Sequence, residues 1–110
     1  MVSPLEFFKS VADDTRLRCL LLLAEEKELR VSDITDALGE SQPKVSRHLA
    51  HLRGNGLLQD RRQGQWVFYR LHPDLPGWVS AVLEQTAEAN NGFVDENLLR
   101  LQQKTENATT

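Results

Sequence analysis

The stretch from Ser41 to Arg53, SQPKVSRHLAHLR, constrains this chain more than any other, because it carries a helix start, an apolar seam and a helix stop. Ser41 has the hydroxyl of an N-cap, which accepts from a free backbone N–H of the first turn. Pro43 falls in that turn, where its missing N–H costs nothing. Gly54 and Gly56 bracket the far end, where a left-handed residue stops a helix. Val45, Leu49 and Leu52 recur at i, i+4, i+7 and make a narrow seam for a core. At roughly 100° per residue, Arg47, Ala50 and His51 project from the opposite side, flanked by Lys44 and Pro43. Such a helix can lie in a DNA major groove; the alternative is a plain solvated surface helix.

The flanking segments favour the groove. Val31 to Leu38 reads as a short helix, with Ser32 as its cap and Ile34, Ala37 and Leu38 on one side. Gly39-Glu40 then turns the chain into Ser41. Two helices joined by a short Gly-containing turn form a helix-turn-helix, whose second helix reads DNA. Downstream, Leu57–Arg62 and Trp66–Leu71 read as two strands, the second rich in aromatic and β-branched residues, with Gly64 at the turn. The hairpin tip carries Arg61, Arg62, Gln63 and Gln65. Helix, turn, helix and basic hairpin predict a winged helix-turn-helix: mainly α, with a small β-hairpin.

Four sequence words in order carry a family resemblance. They are Ala12-Asp13-Asp14-Thr15-Arg16-Leu17, Glu28-Leu29-Arg30-Val31-Ser32-Asp33-Ile34, Ser41 to Leu49, and Gly64-Gln65-Trp66-Val67-Phe68-Tyr69-Arg70-Leu71. The run from Asp13 to Leu71, over half the chain, resembles the bacterial ArsR/SmtB repressors, small dimeric winged-helix metalloregulators. The resemblance implies double-stranded DNA as a partner, a homodimer built through the terminal helices, and Gln42, Ser46 and His48 as recognition residues.

Charge distribution agrees with a DNA reader although the net charge is −3. Residues 1–41 hold five Lys/Arg against nine Asp/Glu, and residues 73–110 hold two against six. Residues 42–72 reverse the balance, with six basic residues against Asp60 alone, and contain all three histidines, His48, His51 and His72. Charges beyond about 8–10 Å are screened at physiological salt, so phosphate responds to the local patch.

The 110 residues make one small domain, expected over 1–104 with a frayed tail at 105–110. A core this small gains from dimerisation. The longest apolar run, Cys19 to Ala24, is too short to span a bilayer, and Pro4 with the charges from Glu6 onward interrupts any signal peptide. A cytoplasmic location is expected.

In order, Ser3-Pro4 opens a helix through about Asp13, and Asp14-Thr15-Arg16 opens a second through about Glu25, with Leu17, Leu20, Leu21 and Ala24 as its seam. Glu25 to Glu28 reads as a charged linker. After the wing, His72 to Gly77 turns the chain into a helix from Trp78 to about Ala89. Asn90-Asn91-Gly92 stops it, and Phe93 to about Lys104 forms a last helix. Phe7 and Phe8 exceed what one face of a short helix needs, which suggests packing against a partner chain; a simple core helix is the alternative. The expected dimer interface comprises Leu5 and Phe8 with Trp78, Val79, Val82 and Leu83.

Cys19, the single cysteine, sits among leucines as a small hydrophobe. The alternative is a redox-sensing thiol favoured by Arg16 and Arg18. Arsenic-sensing members of the resembled family carry Cys-Val-Cys where this chain has Arg30-Val31-Ser32, and neither Arg30 nor Ser32 is a soft ligand. Zinc-sensing members use Asp, His and Glu from the penultimate helix, whereas residues 78–89 offer only Glu84 and Glu88. No metal, cofactor or enzymatic motif is therefore expected, and the inducer is not legible.

The reading is a metal-independent dimeric repressor of its own operon, binding a palindromic operator with the helix 42–53 and the wing 61–66. Gln42 has the amide to pair an adenine edge, and Arg47 the fork for guanine N7/O6. Lys44 and Ser46 share that face. His48 either reads a base or faces the scaffold, and His51 reaches phosphate. Arg61, Arg62 and Gln65 grip phosphate or the minor groove. Two alternatives are a thiol-responsive repressor sensing through Cys19 and a winged-helix module that binds protein instead of an operator.

Overall fold

Polar residues at three helix starts set where the chain folds back. The computed structural model describes residues 2–109, with side chains through Lys104. Helix α1 spans Pro4–Val11, and the Ser3 hydroxyl accepts from the Glu6 N–H at 3.2 Å. It ends at Val11, earlier than the predicted Asp13, because Asp13 caps helix α2, Asp14–Glu26. The Asp13 carboxylate accepts from the Arg16 N–H at 3.0 Å. That backbone hydrogen bond leads the causes holding the Asp13 carboxyl below its usual range.

Helix α2 is the centre of the fold. Cys19 and Leu20 to Leu23 are all buried, so the helix is covered on nearly every side rather than along one seam. Lys27, at φ 73°, turns the chain out of α2, its N–H donating back to the Leu23 carbonyl at 2.9 Å. Of the predicted linker, Glu25 to Glu28, Glu25 and Glu26 belong to α2, and Glu28 opens a short strand, β1, Glu28–Arg30.

Helix α3, Val31–Leu38, follows directly. Its cap is not Ser32 but Arg30, whose backbone N–H donates to the Asp33 carboxylate at 3.2 Å. Gly39 ends α3 in the left-handed region at φ 66°. Helix α4, Gln42–Gly54, starts at Ser41, whose hydroxyl accepts from the Lys44 N–H at 3.4 Å. Its seam of Val45, Leu49 and Leu52 is fully buried.

Strands β2, Leu58–Gln63, and β3, Trp66–Leu71, form the hairpin, with Gly64 in the turn at φ 60°. They pair antiparallel from Leu58↔Leu71 to Gln63↔Trp66. β1 adds to the free edge of β3, with Leu29 opposite Tyr69, so the sheet has three strands in the order β1-β3-β2. Helix α5 spans Gly77–Ala89 and helix α6 spans Asp95–Thr109. The α6 backbone is helical through Thr109, and Thr110 lies outside the described residues.

Helix α6 packs along α3. The Asn97 side-chain amide donates to the Ala37 carbonyl at 2.9 Å, and Arg100 donates to the same oxygen at 3.1 Å. Lys104 reaches Asp33 at 3.0 Å and Asp36 at 2.7 Å. The first helix of the helix-turn-helix is thus clamped between the α2 core and the last helix.

Candidate nucleic-acid interface

The capped start of α4 and the hairpin tip face one another across a groove of about 410 Å³. Gln42 and Ser46 line it from α4, and Arg62, Gln65 and Trp66 from the wing. Arg47 is exposed on α4 and makes no ion pair or side-chain hydrogen bond among the described residues. Arg62 is likewise exposed and unpaired. Lys44 holds Glu40 at 3.2 Å in an exposed pair of the kind worth little, so a phosphate can take its place.

Three predicted DNA-binding residues are engaged within the protomer. His48 sits beside the start of α2, where the Arg16 guanidinium donates to its Nδ1 at 3.3 Å and the Asp13 carboxylate stands 3.9 Å from its Nε2. Burial, ahead of the opposing attraction of Asp13, pushes its pKa below the usual histidine value. It faces the scaffold. His51 lies within hydrogen-bonding distance of the Ser10 hydroxyl, 3.4 Å, and the Asn55 amide, 3.2 Å, tying α4 to the end of α1. Arg61 forks onto Glu28 at 2.7 and 2.9 Å and lies over the Phe68 ring at 4.2 Å, pinning the wing to β1. That hydrogen-bonded pair, before any other cause, keeps the Glu28 carboxyl below its usual range.

Two residues at this surface, Trp66 of the predicted wing and Arg30, make a contact that a reading of the sequence alone does not give. Trp66 is 42 % exposed at the start of β3, and the Arg30 guanidinium lies over its ring at 4.7 Å. Arg30 also forks onto Asp33 at 3.1 Å through both Nε and Nη2. Burial alone would raise the Asp33 pKa, but the hydrogen bonds from Arg30 and Lys104 outweigh it and hold the carboxyl below its usual range. An arginine bracketed by a carboxylate three residues ahead and a tryptophan thirty-six residues ahead has only the i, i+3 half of its geometry visible in sequence.

The predicted dimer residues divide. Leu5 is 63 % exposed, Phe8 52 % and Trp78 39 %, forming one apolar surface over α1 and α5. Trp78 stands edge-on to Phe7 with centroids 5.2 Å apart, and Phe8 lies 6.4 Å from Trp78. Val79 and Leu83, by contrast, are buried inside the protomer, and Val82 is half-buried. The apolar surplus of α5 therefore feeds the protomer's own core through Val79 and Leu83, and an outer face through Trp78.

Cys19 is fully buried in α2, and desolvation, aided by the charge of Asp13, pushes its thiol up to about 12. The neighbouring arginines do not create a thiolate. Arg16 is spent on the Ser10 carbonyl at 2.7 Å, and Arg18 on Asp14 at 3.1 Å.

Comparison with known proteins decides what this surface belongs to. Residues 13–60 match the family described as bacterial regulatory protein, arsR family. Over 101 residues the chain is 54 % identical to the arsenic resistance transcriptional regulator ArsR2 of Pseudomonas putida, covering 92 % of this chain and 88 % of that protein. The chain belongs to the arsR family. The arsenical resistance operon repressor of Escherichia coli is 54 % identical over 82 residues, covering 74 % of this chain and 70 % of that one. The solved structure of HlyU from Vibrio cholerae superposes with a TM-score of 0.70 at 34 % identity, covering 77 % of this chain and 88 % of HlyU. As an arsR-family protein the chain is a DNA-binding transcriptional regulator, not an enzyme. Among the described residues no helix is long and apolar enough to cross a membrane.

Proposed function

We propose that this arsR-family protein is a cytoplasmic homodimeric repressor of its own operon, binding a palindromic operator and released by a signal other than thiol-bound metalloid or zinc. The observation that carries the DNA reading is the single groove bounded by Gln42 and Ser46 on α4 and by Arg62 and Gln65 on the wing, with Arg47 unpaired beside it. In a dimer the two α4 helices meet half-sites about 10–10.5 bp apart, centre to centre. Gln42 and Arg47 read bases, Lys44 and Arg62 hold phosphate, and Ser46 and Gln65 adjust register.

Operator titrations with variants test those roles. Arg62→Ala weakens specific and random DNA alike, and lowers the salt dependence by about one unit of slope for each phosphate that the dimer no longer neutralises. Arg47→Ala costs about 1–3 kcal/mol and relaxes preference at one operator position. Equal losses on specific and random duplexes for Arg47→Ala would mean that it touches backbone only. Failure of the native protein to shift any palindromic duplex would favour the protein-interaction alternative.

Metal independence is supported by what occupies the family's thiolate positions. Arg30 is held by Asp33 and lies over Trp66, and Ser32 offers only a hydroxyl. Cys19 lies too deep to substitute for them. The native protein is expected to leave Cys19 unlabelled by a thiol reagent at pH 8 until it unfolds, and to hold its operator with equal affinity whether or not arsenite is added. Rapid labelling of the folded protein, or arsenite-triggered release abolished by Cys19→Ser, would restore the thiol-sensor alternative.

A further inference from the structure

The proposed repressor lacks an assigned signal, and a cavity of about 770 Å³ lies on the side of Arg30 away from the wing. Its volume is that of a small-molecule site. Leu29 from β1, with Leu98 and Leu101 from α6, gives it an apolar wall. Its charged groups are unequally satisfied. Lys104 already holds Asp33 and Asp36, and Arg30 already forks onto Asp33. Glu25, Glu26 and Asp95, on the same lining, make no ion pair among the described residues.

The charge still open to a ligand is therefore negative. An anion would have to displace Asp33 and meet three further carboxylates. A bare metal ion fits poorly, because among the described residues no three potential ligands converge closely enough to hold one. What complements apolar walls edged by separated carboxylates is an organic cation whose charge rides on an apolar body.

We infer that this cavity is the effector site of the repressor, and that it takes amphipathic organic cations. The inference rests on the repressor reading and adds the class of ligand. Arg30 supplies the coupling because it lines both this cavity and the DNA-facing groove. A cation drawn to Asp33 competes with Arg30 for its carboxylate, and a released Arg30 no longer holds its place over Trp66 at the edge of the wing. The ligand shifts the protein only by its differential affinity for the held and released arrangements. By linkage, operator DNA must weaken cation binding by the same factor that the cation weakens operator binding.

The test uses the full-length protein with tetraphenylphosphonium as the probe and tetraphenylborate, its isosteric anion, as the control. Calorimetry on the DNA-free protein is expected to show phosphonium binding at least tenfold tighter than borate binding, and at least tenfold weaker phosphonium binding after combined Glu25→Gln, Glu26→Gln and Asp95→Asn. These exposed, isosteric changes leave the core intact, and a native circular-dichroism melt confirms folding. Saturating phosphonium is expected to lower operator affinity at least fivefold in the native protein, with Arg30→Gln erasing the coupling while phosphonium still binds. Equal binding of the two ions, or undiminished phosphonium binding by the triple variant, overturns the site. Binding without any change in operator affinity overturns its effector role. Operator binding is measured first without ligand, so failure of the repressor reading itself is seen separately.

Discussion

Replacing Phe8 and Trp78 together by lysine is expected to leave a folded monomer whose operator affinity is lower by about 10²- to 10⁴-fold. Both side chains stand half-exposed on one face, edged by Leu5, while the residues beneath them, Phe7 and Val79, are fully buried. The substitutions therefore fall mainly on an outer surface, with Phe7 beneath them losing its edge-on cover from Trp78. Aromatic side chains bury 150–250 Å², so the exposed parts leave roughly 100 Å² on each ring to be covered by a partner. Over the four rings of two protomers this is about 400 Å², or roughly 10 kcal/mol of gross transfer energy at 25 cal/mol per Å². Association itself costs 4–15 kcal/mol or more, so the rings bring a dimer near balance and flanking side chains such as Leu5 must supply the surplus. Four buried ammonium groups would remove it. The loss on DNA follows because linking two half-site readers makes the second binding event intramolecular, typically a 10²- to 10⁴-fold gain. Sedimentation should give a particle of the 12.5 kDa chain mass for the variant and twice that for the native protein. A native protein that already sediments as a monomer at micromolar concentration, or a lysine variant that keeps full operator affinity, would remove the dimer from the proposal.

What can be read in the chain is whatever is local. The start of α4 is legible because Ser41 acts on an N–H three residues away, and its seam because Val45, Leu49 and Leu52 repeat with the helix. The wing is legible because alternation and Gly64 are hairpin signals of short range. β1 is not: three residues, Glu28 to Arg30, carry no usable alternation, and they are a strand because β3 offers them an edge. The cap of α3 misleads for a related reason. Ser32 is a good capping residue by type, but Asp33 takes the role by accepting from the Arg30 N–H, and it is further fixed by Lys104, seventy-one residues away.

The DNA-facing residues show the same division. Arg47 lies exposed on the face that periodicity assigns it, and Gln42, named by the resemblance, and Arg62, at the hairpin tip, are exposed too. His48 is named by the resemblance, with a scaffold-facing role as its alternative, and its partners Arg16 and Asp13 come from a helix start that sequence spacing does not bring near it. Val79 and Leu83 read as interface residues because α5 has more apolar positions than one seam needs. Periodicity marks such a surplus without saying which side faces the protomer's own core.

Leu49→Ala is expected to be a severely damaging change to the protomer, and it separates support of α4 from readout by α4. Leu49 is fully buried in the seam that seats α4 on the core, one turn beyond Val45 and most of a turn before Leu52. Truncating a leucine at such a site removes its transfer energy and leaves a cavity that the surroundings only partly fill, a loss of about 2–5 kcal/mol. For a domain of this size that corresponds to a melting-temperature decrease of roughly 10–20 °C. It is a large share of the ~5–15 kcal/mol that holds such a domain together. The same seam sets the height and rotation of α4 over the groove, so specific and random DNA binding should fall together as the folded fraction falls. Arg47→Ala, two residues earlier on the exposed face, should leave the melt within about 0.5 kcal/mol of native while changing specificity. The two variants therefore exchange phenotypes: one melts early without altered preference per folded molecule, and the other melts normally with preference altered. If Leu49→Ala melted within a few degrees of the native protein, the seam would not be what seats α4. The orientation of the recognition helix would then have to rest chiefly on its polar ties, His48 to Arg16 and His51 to Ser10.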